Sequence, residues 1–453
     1  KELLMRKGLC FVFLLAAVVS FGFADTLRGA ENAPEKIMIY QGTEWQAQLY
    51  GFVKLDAVYN DSAVLNTESP LWAFSDDTAN NISTSEDDGS LTFSARTSRI
   101  GFNILGPKVL AAKSRVCLEF DFWGGQPDAG TSARQSEMRL RLAYAEITWP
   151  TKTYLLAGNN WMLGTPLYAM PDMHTFIPLS GAGLLFMREP QVAIGQTIGG
   201  DTFSVTIEAS VARAQGNDGS GTSADFYNPG PRSTTGDNQL DRTGVGEASE
   251  QPSYKARITF RLNPAQGFSF ILGGSGQYMR EVHALRIDGG AYTAGTPDNE
   301  NQYTQETVRS WYGQGFGAFT LGPIRLTGHY FQGENIDTFF GGIGQGVTKK
   351  NEGFEYAEID LVKSKGGFGE LRIDLRSFSI PLTFSFGNGT EVVEEDTIVT
   401  GNRKKNSVSW GNFWWYMSPN FRFGVEVSYI ETEYLVISEG DDWKVHSSFM
   451  FTF

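Results

Sequence analysis

Apolar and polar residues alternate with a period of two along most of this chain, the pattern of strands that are wet on one face and apolar on the other. The pattern is plainest at the C-terminal end, where Trp443, Val445, Phe449, Phe451 and Phe453 share one face. Period-2 runs recur near 46–59, 91–105, 113–122, 138–149, 153–160, 191–197, 202–211 and 253–262. They continue at 267–279, 308–321, 324–331, 354–362, 368–379, 407–418, 421–434 and 443–453. The count is about sixteen, an even number, as single-chain bacterial barrels require.

The connections alternate in length. Tight ones carry turn chemistry: Gly106-Pro107, Pro150-Thr151-Lys152, Gly199-Gly200-Asp201, Asn263-Pro264-Ala265, Gly322-Pro323, Lys365-Gly366-Gly367 and Pro419-Asn420. Between them run long polar stretches at 60–90, 212–251, 280–307, 332–353 and 380–406, the last holding Asn388-Gly389, a candidate hairpin tip above the membrane. Short turns on one side and long loops on the other are the rule for transmembrane barrels, whereas a soluble sandwich has no reason to alternate so regularly. The expected fold is all-β: an antiparallel up-and-down transmembrane barrel of about sixteen strands, both ends on the turn side.

Composition fits an exported barrel. The 453 residues include 52 Gly and 13% aromatics, and mean hydropathy is only −0.24, as expected when every second residue faces a polar interior. After Met5-Arg6-Lys7, with Met5 the expected initiator, an apolar run extends to Phe23, and small residues precede Asp25. Residues 1–24 therefore read as a signal peptide, 25–44 as a short periplasmic segment and 45–453 as the barrel. Cys10 lies in the signal, which leaves Cys117 alone and excludes an intrachain disulfide. A net charge of −14 supplies no basic face for nucleic acid.

Parity assigns each side chain to lipid or lumen. Val116, Leu118, Phe120 and Phe122 read as lipid-facing, and Arg115, Cys117, Glu119 and Asp121 as lumen-facing. Lys255, Arg257 and Arg261, and likewise Glu370, Arg372, Asp374 and Arg376, also fall on the inner face. A charge facing lipid at mid-depth costs about 2 to 4 kcal/mol. Arg96 and Glu146 break the parity and are expected near strand ends.

The segment Arg96-Thr97-Ser98-Arg99-Ile100-Gly101-Phe102 resembles the Ser-Arg-Ile/Leu-Gly-Phe strand of general bacterial porins. Four further stretches sharpen the likeness: Tyr50-Gly51-Phe52-Val53-Lys54-Leu55-Asp56-Ala57, Arg139 to Ile147, Leu155 to Trp161, and Arg188-Glu189-Pro190-Gln191. Together they resemble the DcaP-like porins of Gram-negative outer membranes. That resemblance implies a trimeric channel of roughly sixteen strands passing small, often carboxylated, hydrophilic solutes. One departure is the short stretch before the barrel, which has no heptads for the helical extension such porins often carry.

The stretch 162–179 after Trp161 is apolar and Met-rich, unlike the other long connections. An exposed patch of this kind is a liability, so it is expected to pack, and its position after the fifth strand matches the inward constriction loop of porins. Asp172 and His174 are its polar tips, with Trp161 and Arg188 flanking it. An outer loop packed on a neighbouring subunit or on its own rim is the alternative. On strands two to four, Arg99, Arg115, Arg139 and Arg141 form an inward basic wall beside the acidic Glu119 and Asp121. Guanidinium groups at a water-filled neck would hold carboxylates weakly enough to release them, unless those two acids neutralise the wall.

No catalytic site, metal or other cofactor is expected. His174, His283, His329 and His446 come with no nucleophile elbow or paired ligand spacing. Glu358 and Asp360, at i and i+2, read as lumen acids rather than an acid/base pair. Asp76-Asp77, Glu86-Asp87-Asp88 and Asn217-Asp218-Gly219 lack a full ligand set for calcium and read as solvated. The expected partners are outer-membrane lipids and lipopolysaccharide, small hydrophilic solutes, the barrel assembly machinery and two further copies of the chain. A barrel lipid hydrolase and an adhesin or structural barrel are the alternatives from other classes.

Phe449, Phe451 and Phe453 read as the assembly signal and interfacial anchors. Deleting Phe453 should lower the amount inserted in the outer membrane while export to the periplasm continues, measured by fractionation. Normal outer-membrane levels would make the terminal pattern incidental.

Overall fold

The computed structural model describes residues 37–76, 89–124, 136–216, 226–227, 244–286, 303–350 and 358–453. Residues 1–24, Asp77, Glu86-Asp87-Asp88 and Asn217-Asp218-Gly219 lie outside them. Sixteen antiparallel strands close into a barrel. They are β1 (Gln46–Asn60), β2 in two halves (Ser90–Ser94 and Arg99–Val109), β3 (Ala112–Gly124), β4 (Glu137–Thr148), β5 (Thr153–Trp161), β6 (Arg188–Gly199), β7 (Phe203–Ala212) and β8 (Ser253–Leu262). The remainder are β9 (Phe268–Arg286), β10 (Tyr303–Leu321), β11 (Ile324–Glu334), β12 (Lys363–Asp374), β13 (Leu382–Val393), β14 (Arg403–Tyr416), β15 (Phe421–Tyr434) and β16 (Gly440–Thr452).

Closure joins the two ends of the chain. β1 pairs with β2 along one edge and with β16 along the other, from Phe52↔Thr452 to Asn60↔Lys444. Two backbone bonds of 3.0 Å between Gly51 and Phe453 finish that ladder. A short strand, Ile37–Gln41, pairs with Gln46–Leu49 and covers the part of β1 that β16 does not reach. Facing follows the parity: Val53, Leu55, Ile258 and Phe260 are exposed outward, while Lys54, Asp56, Lys255 and Arg257 are buried inward. Trp443 and Phe451 on β16 likewise point out and Lys444 and His446 in.

The wall differs from the expectation at four places. The turn between β2 and β3 falls at Leu110-Ala111, both at positive φ, because the Gly106-Pro107 pair sits in a strand irregularity that tolerates a missing N–H. Residues 358–361 pair with Val347–Lys350 in a hairpin within the β11–β12 connection, so Glu358 and Asp360 leave the wall. Lys365-Gly366-Gly367 lies inside β12, not in a turn. The stretch 380–406, read as a loop, contains β13, with Asn388 and Gly389 mid-strand opposite Gly369 and Phe368. One strand too many before Lys363 and one too few after it cancel, so the count holds.

Glycines give β13 the look of a loop, and packing explains them. A Cβ on Gly389 would stand 2.4 Å from the Ala182 carbonyl, and one on Gly387 would stand 2.3 Å from the Trp410 ring. These residues mark where something presses on the inner wall, not where the chain turns.

What presses is a pair of connections. Met162, Leu185, Ile336 and Phe339 cluster with Met279, Tyr312 and Phe331 from β9, β10 and β11. Leu179, Ala182, Leu184 and Phe186 cluster with Phe368, Val408, Trp410 and Ile430 from β12, β14 and β15. Burying each such large apolar side chain stabilises by about 1.5 to 3 kcal/mol. The connection 335–346, read only as a polar loop, thus joins 162–187: Gly181 N–H donates to Phe340 O at 2.9 Å.

Gly389→Val should press on Ala182, cost about 1 to 3 kcal/mol by overpacking and free the 162–187 segment. Faster chymotryptic cleavage there is the expected outcome. Unchanged cleavage would return Gly389 to an exposed hairpin.

Candidate functional site

The inner wall of β2 to β6 concentrates charge. Arg99 and Asp121 are cross-strand partners, as are Asp121 and Arg139. On β4 the register jumps from Glu119↔Leu142 to Phe120↔Leu140, so Arg141 is the extra residue of a bulge. Arg139 and Arg141 share the inner face by ordinary alternation, and the bulge turns Leu142, Tyr144 and Glu146 inward below them. The parity break at Glu146 therefore has its cause at Arg141, in mid-strand. The break at Arg96 lies in the turn between the two halves of β2, where Ser98 N–H donates to Ala95 O.

Within this wall Arg141 is nearly fully buried, donating to Glu119 at 2.8 Å and to Asp121 at 2.7 Å. Arg139 makes a bidentate pair with Asp121 at 3.0 and 2.7 Å. Arg99 approaches Glu119 at 3.5 Å. Arg188, at the start of β6, lies over the Trp161 ring at 5.2 Å, and its buried Nη1 has no hydrogen-bond partner. Arg139 and Arg141 both stand 5.4 Å from the Phe176 ring of the 162–187 segment, which stacks on Trp123 at 4.7 Å. Among the described residues four guanidinium groups meet two carboxylates, leaving two positive charges in excess.

Arg115 stands apart. It is six residues from Asp121 along β3, about 20 Å lower. It donates to Asn103 Oδ1 at 3.1 and 2.8 Å and lies over Tyr144. The predicted ladder is therefore a compact cluster with one outlier, and Arg188, flanking in the sequence, joins the cluster.

Segment 162–187 is tied to inward side chains around the barrel. Arg257 donates to Leu163 O at 3.2 Å, Arg325 to Tyr168 O at 2.7 Å, His329 to Gly183 O at 2.9 Å and Asn406 to Gly181 O at 3.0 Å. Asp172 N–H donates to Glu370 at 2.6 Å, and its carboxylate pairs with Arg372 at 3.3 Å. His174 is held through its backbone: its N–H donates to Glu426 at 2.7 Å and its carbonyl accepts from Lys54 Nζ at 2.7 Å. Its ring, 1% exposed, packs 4.0 Å from Trp414. Burial holds its pKa well below the usual imidazole range, so the ring is neutral and meets no solute.

A further buried network, unforeseen in the sequence, joins β1, β15 and β16. Lys54 pairs with Asp56 at 2.9 Å, and Lys444 with Glu426 at 3.0 Å. Their only signal was the i, i+2 parity of Lys54 and Asp56, and of Lys444, His446 and Ser448. The Ser448, His446 and Asp56 side chains meet, but not as a catalytic triad. Both Asp56, at 2.9 Å, and Ser448, at 3.3 Å, address the same ring nitrogen, Nε2, and all three are buried.

No family model matches the chain, and no curated protein sequence matches it. Among solved structures it is similar to the outer membrane channel DcaP of Acinetobacter baumannii, at 16% identity and a TM-score of 0.63, over 92% of this chain and 100% of that one. It is also similar to OmpT of Vibrio cholerae, at 11% identity and a TM-score of 0.51, again over 92% and 100%. These likenesses show the fold, a closed β-barrel shared with those two outer-membrane proteins.

Arg141→Met would leave Glu119 and Asp121 short of a buried partner, a loss of about 3 to 5 kcal/mol. The temperature at which the folded band converts to the unfolded one on detergent gels should fall. An unchanged conversion temperature would mean that Arg139 and Arg99 suffice.

Proposed function

We propose that this chain, folded as outer-membrane porins are, is a passive diffusion channel for small hydrophilic solutes that favours small carboxylated anions. The observation that carries the reading is the excess of guanidinium over carboxylate at Arg99, Arg139, Arg141 and Arg188, with Glu119 and Asp121 between them. Segment 162–187 is the proposed constriction, and the path passes it beside the arginine wall, which Phe176 of the segment touches at Arg139 and Arg141. Support comes from the apolar packing of that segment on β9 to β15, opposite the arginine cluster, which stands above a smaller apolar patch of Cys117, Leu142, Tyr144 and Leu156.

Net charge argues the other way, since −14 would draw cations. Charges on outer loops are screened over about 8 to 10 Å, whereas groups at a narrow neck act on the solute directly. Arg141 and Arg139 are braced by the acids, whereas Arg99 and Arg188 are only partly buried and, Arg99's 3.5 Å approach to Glu119 apart, make no carboxylate contact among the described residues. The bore needs no cofactor. Residence in the outer membrane after cleavage of residues 1–24, contacts with lipopolysaccharide, delivery by the assembly machinery and a homotrimeric state complete the proposal.

Planar-bilayer recordings test it. Wild-type channels should open in discrete steps and show an anion-selective reversal potential across a salt gradient. Arg99→Ser with Arg188→Ser should lower the anion-to-cation permeability ratio by at least about twofold. Cation selectivity that ignores both substitutions would end the arginine reading and leave the channel.

A further inference from the structure

We infer that the turn-side mouth of the barrel carries a second anion site, a collecting vestibule for small oxyanions below the constriction. The inference rests on the channel reading above and adds a site that the arginine cluster does not include. A cavity of about 840 Å³ opens among the β2–β3, β4–β5, β6–β7 and β8–β9 turns. Lys108, Lys113, Lys152 and Arg261 line it, with Glu146 and Asp201 as its carboxylates. Its size falls in the range of small-molecule sites, roughly 300 to 1,000 Å³.

The cations there are not consumed by the fold. Lys152 donates to the Gly199 carbonyl at 2.7 Å, while Lys108, Lys113 and Arg261 make no ion pair with any described residue. Glu146 accepts from Thr148 Oγ1 at 3.1 Å. Four cations against two carboxylates leave two positive charges in excess inside a concave, low-dielectric wall, which focuses the field on the cavity and raises the local anion concentration.

Arg261 connects this cavity to the constriction. Its guanidinium lies 5.0 Å from the ring of Tyr168, whose carbonyl is held by Arg325 from β11. An anion leaving the arginine cluster past segment 162–187 therefore meets the vestibule on the same side of the wall. The two sites differ in chemistry. Guanidinium forks above select planar carboxylates, whereas the three ammonium groups that outnumber the single guanidinium below act as point charges with little preference of shape. Successive weak sites of this kind let an ion enter one as it leaves the other.

Inorganic phosphate is the probe, added to each chamber in turn while chloride current is recorded from single channels in one orientation. Wild type should be blocked at lower phosphate concentration from one side. Lys108→Gln with Lys113→Gln and Arg261→Gln should raise the half-blocking concentration from that side at least about threefold, leaving the other side unchanged. Lys113→Arg with Arg261→Lys keeps the charge and should keep the block. A half-blocking concentration unmoved by the three glutamines, or raised equally by the charge-conserving pair, would overturn the vestibule. A wild-type chain that conducts no ions would overturn the channel reading and the vestibule with it.

Discussion

A hydrocarbon layer accepts no unpaired backbone N–H or C=O, and everything in this structure follows from meeting that demand with strands. A sheet can do so only by closing, and here closure is made by β1 with β16 and finished by Gly51 with Phe453. Once the ladder is closed, alternation is no longer a preference. Each strand residue must face lipid or lumen, and the cost of a charge in lipid decides which. At mid-depth the strand-borne charge is thereby driven to the inner wall, and a charged interior is the raw material of selectivity.

The interior is not uniform. On β9 to β15 the inward positions carry Met279, Tyr312, Phe331, Phe368, Trp410 and Ile430, which receive the apolar faces of the connections 162–187 and 335–346. On β2 to β6 they carry arginine and carboxylate around Arg141 and, below, the smaller apolar set Cys117, Leu142, Tyr144 and Leu156. One side of the barrel behaves like the core of a soluble protein, and the other is built around a buried ion-pair cluster. Gly183 and Gly367 mark how close the packing is, since a Cβ on Gly183 would stand 2.3 Å from the Gly367 carbonyl.

The fold was legible because a period-2 pattern and alternating connection lengths are both local signals. Alternation alone places Arg99, Arg139, Arg141, Glu119 and Asp121 on the inner face. It could not foresee that a bulge at Arg141 would let Leu142 and Tyr144 face inward too, because a bulge leaves no mark in composition. Strand β13 looks like a loop in the sequence for a related reason. Gly387 and Gly389 look like turn residues until the groups that crowd them, Trp410 and Ala182, are known, and Ala182 lies some two hundred residues away in sequence. The inward course of 335–346 was hidden likewise: Ile336, Phe339 and Ile343 are apolar, but their glycine-rich setting reads as loop. His174 shows the limit of reading side chains alone, since the barrel grips its backbone.

The bulged Arg141 binds two roles into one residue. Its guanidinium ties Glu119 to Asp121 and also supplies part of the field along the proposed path. Such a residue cannot drift under selection as an ordinary pore-lining side chain can, because every exchange that retunes the path also loosens the wall. Variation in what this barrel admits is therefore channelled toward Arg99 and Arg188, whose links to the scaffold are looser, and a lineage of such barrels would diversify at its periphery while its braced centre stood still.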